Sequence, residues 1–177
     1  MRRVMIVGAP GSGKSTLARQ MAKQLGLPVY HMDHLHHLPG WQPRPLAEKQ
    51  DMARAIEQRD EWIFEGGMSS TYDSRAARAD TLIWLDLHIA LRLWRVTKRL
   101  WQHYGKRRPD MAEGCVETIG AHTWEFYVWI ISTRRSQRTK IAALAKNARP
   151  GLRIVHLTSP NAVASYVAQI DPGNAQA

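Results

Sequence analysis

Nine consecutive residues near the amino terminus, Gly8-Ala9-Pro10-Gly11-Ser12-Gly13-Lys14-Ser15-Thr16, satisfy the pattern G-x-x-x-x-G-K-[ST] at every fixed position. Each residue type there suits a phosphate. The glycines let successive backbone N–H groups curl around the anion with no Cβ in the way. A helix opening near Gly13 aims its dipole and its unpaired N–H groups at the same point. Lys14 brings a mobile positive charge to β- and γ-phosphates, and the Ser15 hydroxyl is a hard oxygen of the kind Mg²⁺ accepts. Gly8, Pro10, Gly11, Ser12, Gly13, Lys14, Ser15 and Thr16 are therefore candidate nucleotide-binding residues, and Lys14 is a catalytic candidate as well. ATP and Mg²⁺ are the implied cofactors.

A magnesium–nucleotide site also needs acids at the carboxyl ends of neighbouring strands, where open α/β sheets place their ligands. Asp33, Glu65 and Asp86 each stand at or just beyond a short apolar run. Asp33 is placed to orient or deprotonate an acceptor group. Glu65, in Trp-Ile-Phe-Glu-Gly-Gly, and Asp86, in Leu-Ile-Trp-Leu-Asp, share one form. Glu65 is the expected water-mediated magnesium ligand, with Asp86 as its rival. His31, His34, His36 and His37 crowd a single loop. Their spacing fits no common zinc pattern and no paired cysteine accompanies them, so lining a pocket is the expectation rather than holding a metal.

The elements that must position these groups follow from apolar patterning and from Gly and Pro punctuation. Short apolar runs at 2–7, 28–32, 62–65, 81–87 and 152–157 read as strands, and helical spacing covers 14–25, 46–58, 88–103, 124–146 and 161–170. Strands alternating with helices imply parallel βαβ units and a three-layer α/β domain. One domain over residues 1–170 accounts for the length, and the Asp-Pro-Gly-Asn-Ala-Gln-Ala tail at 171–177 is expected to fray.

With 44% hydrophobic and 23% charged residues the 177-residue chain is an ordinary globular one, which excludes a disordered protein. The lone Cys115 excludes a disulfide framework and a Cys-rich zinc lid, and it suits a reducing, cytoplasmic setting. No run approaches 18 apolar residues, so no membrane span is expected, and Val4 to Val7 is too short for a signal-peptide core. The net charge of +10 is the unusual figure. Residues 88–149 hold 13 Lys and Arg against Asp110, Glu113, Glu117 and Glu125, whereas the remainder holds 12 against 11. The excess thus belongs to one third of the chain and calls for an anionic partner there.

Several stretches resemble one known family: the phosphate loop, Val29-Tyr30-His31-Met32-Asp33, Pro39-Gly40-Trp41, Trp62-Ile63-Phe64-Glu65-Gly66, the span from Arg75 to Asp86, and Arg107-Arg108-Pro109-Asp110-Met111. They look like the bacterial topology-modulation (FlaR-like) proteins, adenylate-kinase-related members of the P-loop kinases. The resemblance runs from Met1 to about Ile170. It implies a P-loop NTPase fold with a five-stranded parallel sheet in the order 2-3-1-4-5 and a helical, arginine-rich lid over about residues 100–138. By the same resemblance Arg95 would stack on adenine and Arg99 would contact phosphate, while Arg134, Arg135 and Arg138 would close onto the transferring phosphoryl group. The Thr158-Ser159-Pro160 loop, with Ser159 at its centre, would touch the adenine through its backbone. The chain departs from adenylate kinases at Gly66-Gly67-Met68-Ser69 and in the stretch after Asp33, where arginines that hold the AMP phosphate are missing. Trp41 and Tyr72 are candidates for a different acceptor pocket, with core packing as the alternative for Trp41.

The expected function is ATP-dependent phosphoryl transfer to a small-molecule or nucleotide acceptor, by a monomer or homodimer, with the lid supplying positive charge as it closes. The alternative is a regulatory ATP-binding protein that meets nucleic acid through residues 88–149. That segment carries Trp94, Trp101 and Tyr104 among its basic residues. Trp94 and Trp101 lie seven apart on one helix, which is expected to bury them on a common face.

Overall fold

The computed structural model describes residues 1–106, 114–116 and 118–170. The Arg107 to Met111 stretch, part of the expected lid, and the 171–177 tail lie outside the described residues. Strand β1 (Arg3–Gly8) is the apolar run ahead of the phosphate loop, and Val4 to Val7 are fully buried. It is buried on both faces because it is the central strand. Val4 and Ile6 point into one core and Met5 and Val7 into the other, as a period of two requires.

Its partners are β2 (Val29–His31), β3 (Trp62–Glu65), β4 (Thr81–Leu85) and β5 (Arg153–Leu157). All neighbouring pairs are parallel and the order is β2-β3-β1-β4-β5, the 2-3-1-4-5 arrangement that the resemblance implied. The helices among the described residues are α1 (Lys14–Leu25), α2 (Met32–His36), α3 (Leu46–Glu57), α4 (Tyr72–Arg78), α5 (Ile89–His103), α6 (Ala121–Lys146) and α7 (Pro160–Ala168). Leu17, Met21 and Leu25 of α1, with Val163 and Val167 of α7, close one face of the sheet. The other face is closed by Ala53 and Ile56 of α3, Tyr72 and Ala76 of α4, and Ile141 and Leu144 of α6. The result is three layers.

Two helices depart from the patterning. The histidine-rich segment expected as a loop contains α2, a single turn too short to show a period. Helix α4 went unmarked because the middle member of its buried stripe, Tyr72-Arg75-Ala76, is an arginine, which interrupts the apolar signal. Between α2 and α3, His37–Leu38 and Gln42–Pro43 form a short antiparallel ribbon around Pro39-Gly40-Trp41.

Helix α5 corrects a second expectation. Trp94 and Trp101 are 57% and 72% exposed, so neither is buried, and Trp94 lines the cavity over the phosphate loop. The inner face is taken by Val96 and, unexpectedly, Arg92, which is 6% exposed. Arg92 is inside because α5 meets the phosphate loop through its backbone: a Cβ on Gly11 would overlap the Arg92 carbonyl. Gly11 also has φ of 77°, a region that side chains other than glycine's rarely enter. Gly11→Ala is accordingly expected to destabilise the chain by about 2 kcal/mol or more. A urea-unfolding midpoint unchanged from the parent chain would contradict the packing of α5 on the loop.

Candidate functional site

The loop from Gly8 to Gly13 joins β1 to α1 at the carboxyl edge of the sheet. Gly13 caps α1 with φ of 94° and no side chain closes the helix, so its first N–H groups have no side-chain acceptor. Ser12 is 2% exposed and its Oγ has no hydrogen-bond partner among the described residues. A buried hydroxyl without a partner beside an uncapped helix start is the arrangement an anion completes. Lys14 Nζ donates to the Ala9 carbonyl at 3.4 Å, which folds the ammonium back over the loop.

Parallel pairing brings the acid to this loop. Glu65 ends β3 opposite Ile6 of β1 and His31 of β2. Its Oε1 accepts from Ser15 Oγ at 2.9 Å and from His31 Nδ1 at 2.7 Å, and the residue is 2% exposed. Burial pushes this carboxyl up, but the His31 hydrogen bond, the charges of Lys14 and His31, and the Ser15 hydroxyl outweigh it, so the net direction is downward. Beneath it, Arg75 is fully buried and donates through both Nη atoms to the Gly66 carbonyl at 3.1 Å, with its guanidinium over the rings of Phe64 and Tyr72. Burial lowers the Arg75 guanidinium to about 10 against the pull of Tyr72, Glu57 and Glu65.

A cavity of about 1060 Å³ opens over these groups. It gathers Gly8, Pro10, Gly11, Ser12, Gly13, Lys14, Ser15 and Thr16 with Asp33, Glu65, Arg95 and Arg99. Arg95 Nη1 donates to the Ser12 carbonyl at 3.4 Å, so α5 reaches the loop by side chain as well as backbone. His36, His37, Trp41, Gly67, Ser69 and Tyr72 line the end beside Asp33. Trp41 is 39% exposed, not core; its φ is 63°, and its indole N–H donates to the Val116 carbonyl at 2.9 Å. His36 Nε2 lies 3.1 Å from the Gly67 carbonyl and the His37 ring packs edge-on to Trp41. Burial lowers the His37 imidazole, the Asp33 charge opposes this and His36 adds to it. The histidines thus act as wall and as partner to Glu65, and no three His, Cys, Asp or Glu groups cluster as a metal cage among the described residues.

Other expected site residues lie elsewhere. Arg134, Arg135 and Arg138 line a second cavity of about 460 Å³ with Asp86, Arg92 and Thr158, reached from the first at Ala9 and Gln137. Arg138 Nε donates to Asp86 Oδ2 at 2.8 Å and His156 Nε2 lies 3.2 Å from the same oxygen, its ring stacked on Trp84. Asp86 is therefore occupied by side chains, whereas Glu65 touches the Ser15 hydroxyl. Ser159 caps α7 by accepting from the Ala162 N–H at 3.1 Å, and the next residue, Pro160, lines the larger cavity. The pairing of His31 with Glu65 was invisible in the sequence, since only strand register brings them together.

The hard oxygens of Ser15 and Glu65 suit Mg²⁺, which binds through one or two protein oxygens and keeps waters and phosphate oxygens for the rest. Because the folded-state pKa of Glu65 lies below its unfolded value, the carboxylate adds stability above the ordinary glutamate range and loses it as pH falls through the folded value. The stability gap between the parent chain and Glu65→Gln, read from urea unfolding, should be wider at about pH 7 than at about pH 3. A gap that does not narrow on acidification would contradict the hydrogen-bonded, ionised Glu65.

The fold has solved counterparts. A shikimate kinase from Bacteroides thetaiotaomicron matches at 17% identity over 95% of this chain and 95% of that one, with a TM-score of 0.54. A shikimate kinase from Aquifex aeolicus vf5 matches at 14% identity over 98% of each chain, TM-score 0.53. A gluconokinase from Sinorhizobium meliloti 1021 matches at 18% identity over 94% of this chain and 87% of that one, TM-score 0.51. No curated protein matches the sequence. No described helix is long and apolar enough to cross a membrane. Residues 4–125 match the AAA_18 family, described as an AAA domain, and because that span exceeds half of the sequence the chain belongs to this family.

Proposed function

We propose that the protein is a phosphotransferase that moves the γ-phosphoryl group of Mg²⁺-ATP to a hydroxyl of a small-molecule acceptor. The observation that carries this reading is the Ser15–Glu65 hydrogen bond of 2.9 Å beside a complete phosphate loop, facing Asp33 across one cavity. The likeness in fold to proteins titled as shikimate kinases and a gluconokinase supports it, as do the stretches shared with the FlaR-like branch of P-loop kinases.

In this reading the N–H groups of the loop and of the α1 start hold the phosphates, and Lys14 adds its charge at the β- and γ-oxygens. Ser15 directly and Glu65 through water would hold Mg²⁺, which when bound neutralises phosphate charge. Arg95 and the loop at Ser159 flank the base, and Arg99 approaches the phosphates. Trp41, His37 and Tyr72 shape the acceptor end. The acceptor oxygen forms the new bond to phosphorus as the bond to ADP breaks, and Asp33 takes the hydroxyl proton. The barrier falls mainly through positioning and charge neutralisation, and excluding water favours the acceptor over hydrolysis. Arg134, Arg135 and Arg138 enter only if α6 moves, with Arg138 exchanging Asp86 for phosphate.

Transfer from γ-labelled ATP should be assayed across nucleosides, nucleotides and hydroxylated metabolites. Label passing to one acceptor class is the expected result, and hydrolysis alone would overturn the transferase reading. Lys14→Ala should lower kcat/KM by about a hundredfold or more with the fold retained. Arg134→Ala and Arg135→Ala should lower kcat with little change in nucleotide affinity, and an effect confined to affinity would place them in static binding.

A further inference from the structure

The second cavity, of about 460 Å³, gathers more positive charge than its own surroundings neutralise. Arg92 stands in its wall and is 6% exposed. Its Nε donates to the Leu87 carbonyl at 3.1 Å, which fixes the guanidinium beside another residue of the same wall. Its Nη1 is buried with no hydrogen-bond partner among the described residues. Burial lowers this guanidinium and the Asp86 charge opposes the shift. A buried cationic N–H without an acceptor is costly, so such a group asks for a partner.

Further features converge on the same space. Arg134, Arg135 and Arg138 of α6 line it with Arg92, so among the described residues four guanidiniums face one carboxylate, that of Asp86. Asp86 cannot serve them all, because its Oδ2 already accepts from Arg138 Nε at 2.8 Å and lies 3.2 Å from His156 Nε2. Arg134 turns its Nη1 to the Ile131 carbonyl of its own helix, which leaves its charge uncompensated. The start of α5, a fifteen-residue helix, opens here too, with His88 and Ile89 in the wall and no acid in its first turn. Its dipole adds to the same positive potential.

Size and charge choose the occupant. A cavity of this volume takes a small molecule. Guanidinium forks match phosphate and carboxylate oxygens alike, but four of them against one acid favour a dianion over a monoanion. A tetrahedral phosphate also offers oxygens to several forks at once. Leu87, Ile89 and Ile141 give the rest of the wall an apolar side suited to a carbon skeleton. We propose that the second cavity binds a small phosphate monoester, with Arg92, Arg135 and Arg138 holding its phosphate at the start of α5. The site is separate from the phosphate loop, since neither Arg92 nor the three arginines of α6 line the nucleotide cavity. It holds whether or not the chain transfers phosphoryl groups.

The test is isothermal titration calorimetry of the whole chain with glycerol phosphate. Saturable binding is expected, and it should persist with Mg²⁺ and β,γ-imido-ATP present in excess. Lys14→Ala should bind the ester as the parent chain does, which separates this cavity from the phosphate loop. Arg92→Met and Arg135→Ala should each weaken binding about tenfold. Arg135 is exposed, so its variant keeps the test open should the buried substitution fail to fold. Asp86→Asn should tighten binding about threefold or more, because a like charge leaves, and general destabilisation does not mimic that gain. Several results would overturn the proposal. These are no saturable binding at about 10 mM ester, displacement of the ester by the ATP analogue, acetate bound as tightly, and arginine variants that bind unchanged. Inorganic phosphate bound in preference to the ester would make the cavity a site for a free ion and would equally overturn it.

Discussion

The Glu65 carboxylate is the group on which the rest of the site depends. Taking an ionised carboxylate out of water is costly unless hydrogen bonds and opposite charge compensate it. Here compensation comes from two separate parts of the chain: the Ser15 hydroxyl and the charge of Lys14 at the start of α1, and the His31 ring at the end of β2. The phosphate loop, β2 and β3 therefore have to be in register before any one of them is satisfied. The next residue extends the constraint, because the Gly66 carbonyl is held by a fully buried Arg75 whose guanidinium lies over Phe64 and Tyr72. Helix α4 is thereby tied to the acid end of β3, and Tyr72 is set in the cavity wall.

A second constraint acts through the backbone. Gly11 leaves room for the Arg92 carbonyl, and that contact fixes how closely α5 approaches the loop. With α5 so close, Arg95 reaches the Ser12 carbonyl and Arg99 faces the cavity, while Arg92 turns inward and donates to the Leu87 carbonyl. The three arginines keep helical spacing on α5, and the close approach at Gly11 buries Arg92 while Arg95 and Arg99 line the cavity. The basic segment is divided between two cavities, with Arg134, Arg135 and Arg138 of α6 lining the second, which shares Ala9 with the first.

What could be read from the sequence divides along the same line. The five strands and the long helices were legible because each is an apolar run or a period of one length. The phosphate loop was legible because its chemistry is local, nine residues in a row. Glu65 was legible only as one of two acids of the same form; only the structure shows that Glu65 stands beside Ser15, with Asp86 beside Arg138 and His156. Helix α4 was hidden by a buried arginine, and the roles of His31 and Arg75 by long-range pairing. The seven-residue spacing of Trp94 and Trp101 could not show that neither would be buried.

Where the arginines stand decides how the charge of the chain should be understood. Arg95 and Arg99 bring the positive charge of α5 to the cavity over the phosphate loop. Trp94 and Lys98 line the same cavity, whereas Trp101 and Trp124 do not. The Arg138–Asp86 pair is largely exposed at its arginine, so it is a weak tether that a phosphate can replace. The face of α5 that packs toward the loop is committed by the contact of Gly11 with the Arg92 carbonyl, so the position of Arg95 at the loop is set by backbone packing before its side chain makes any contact.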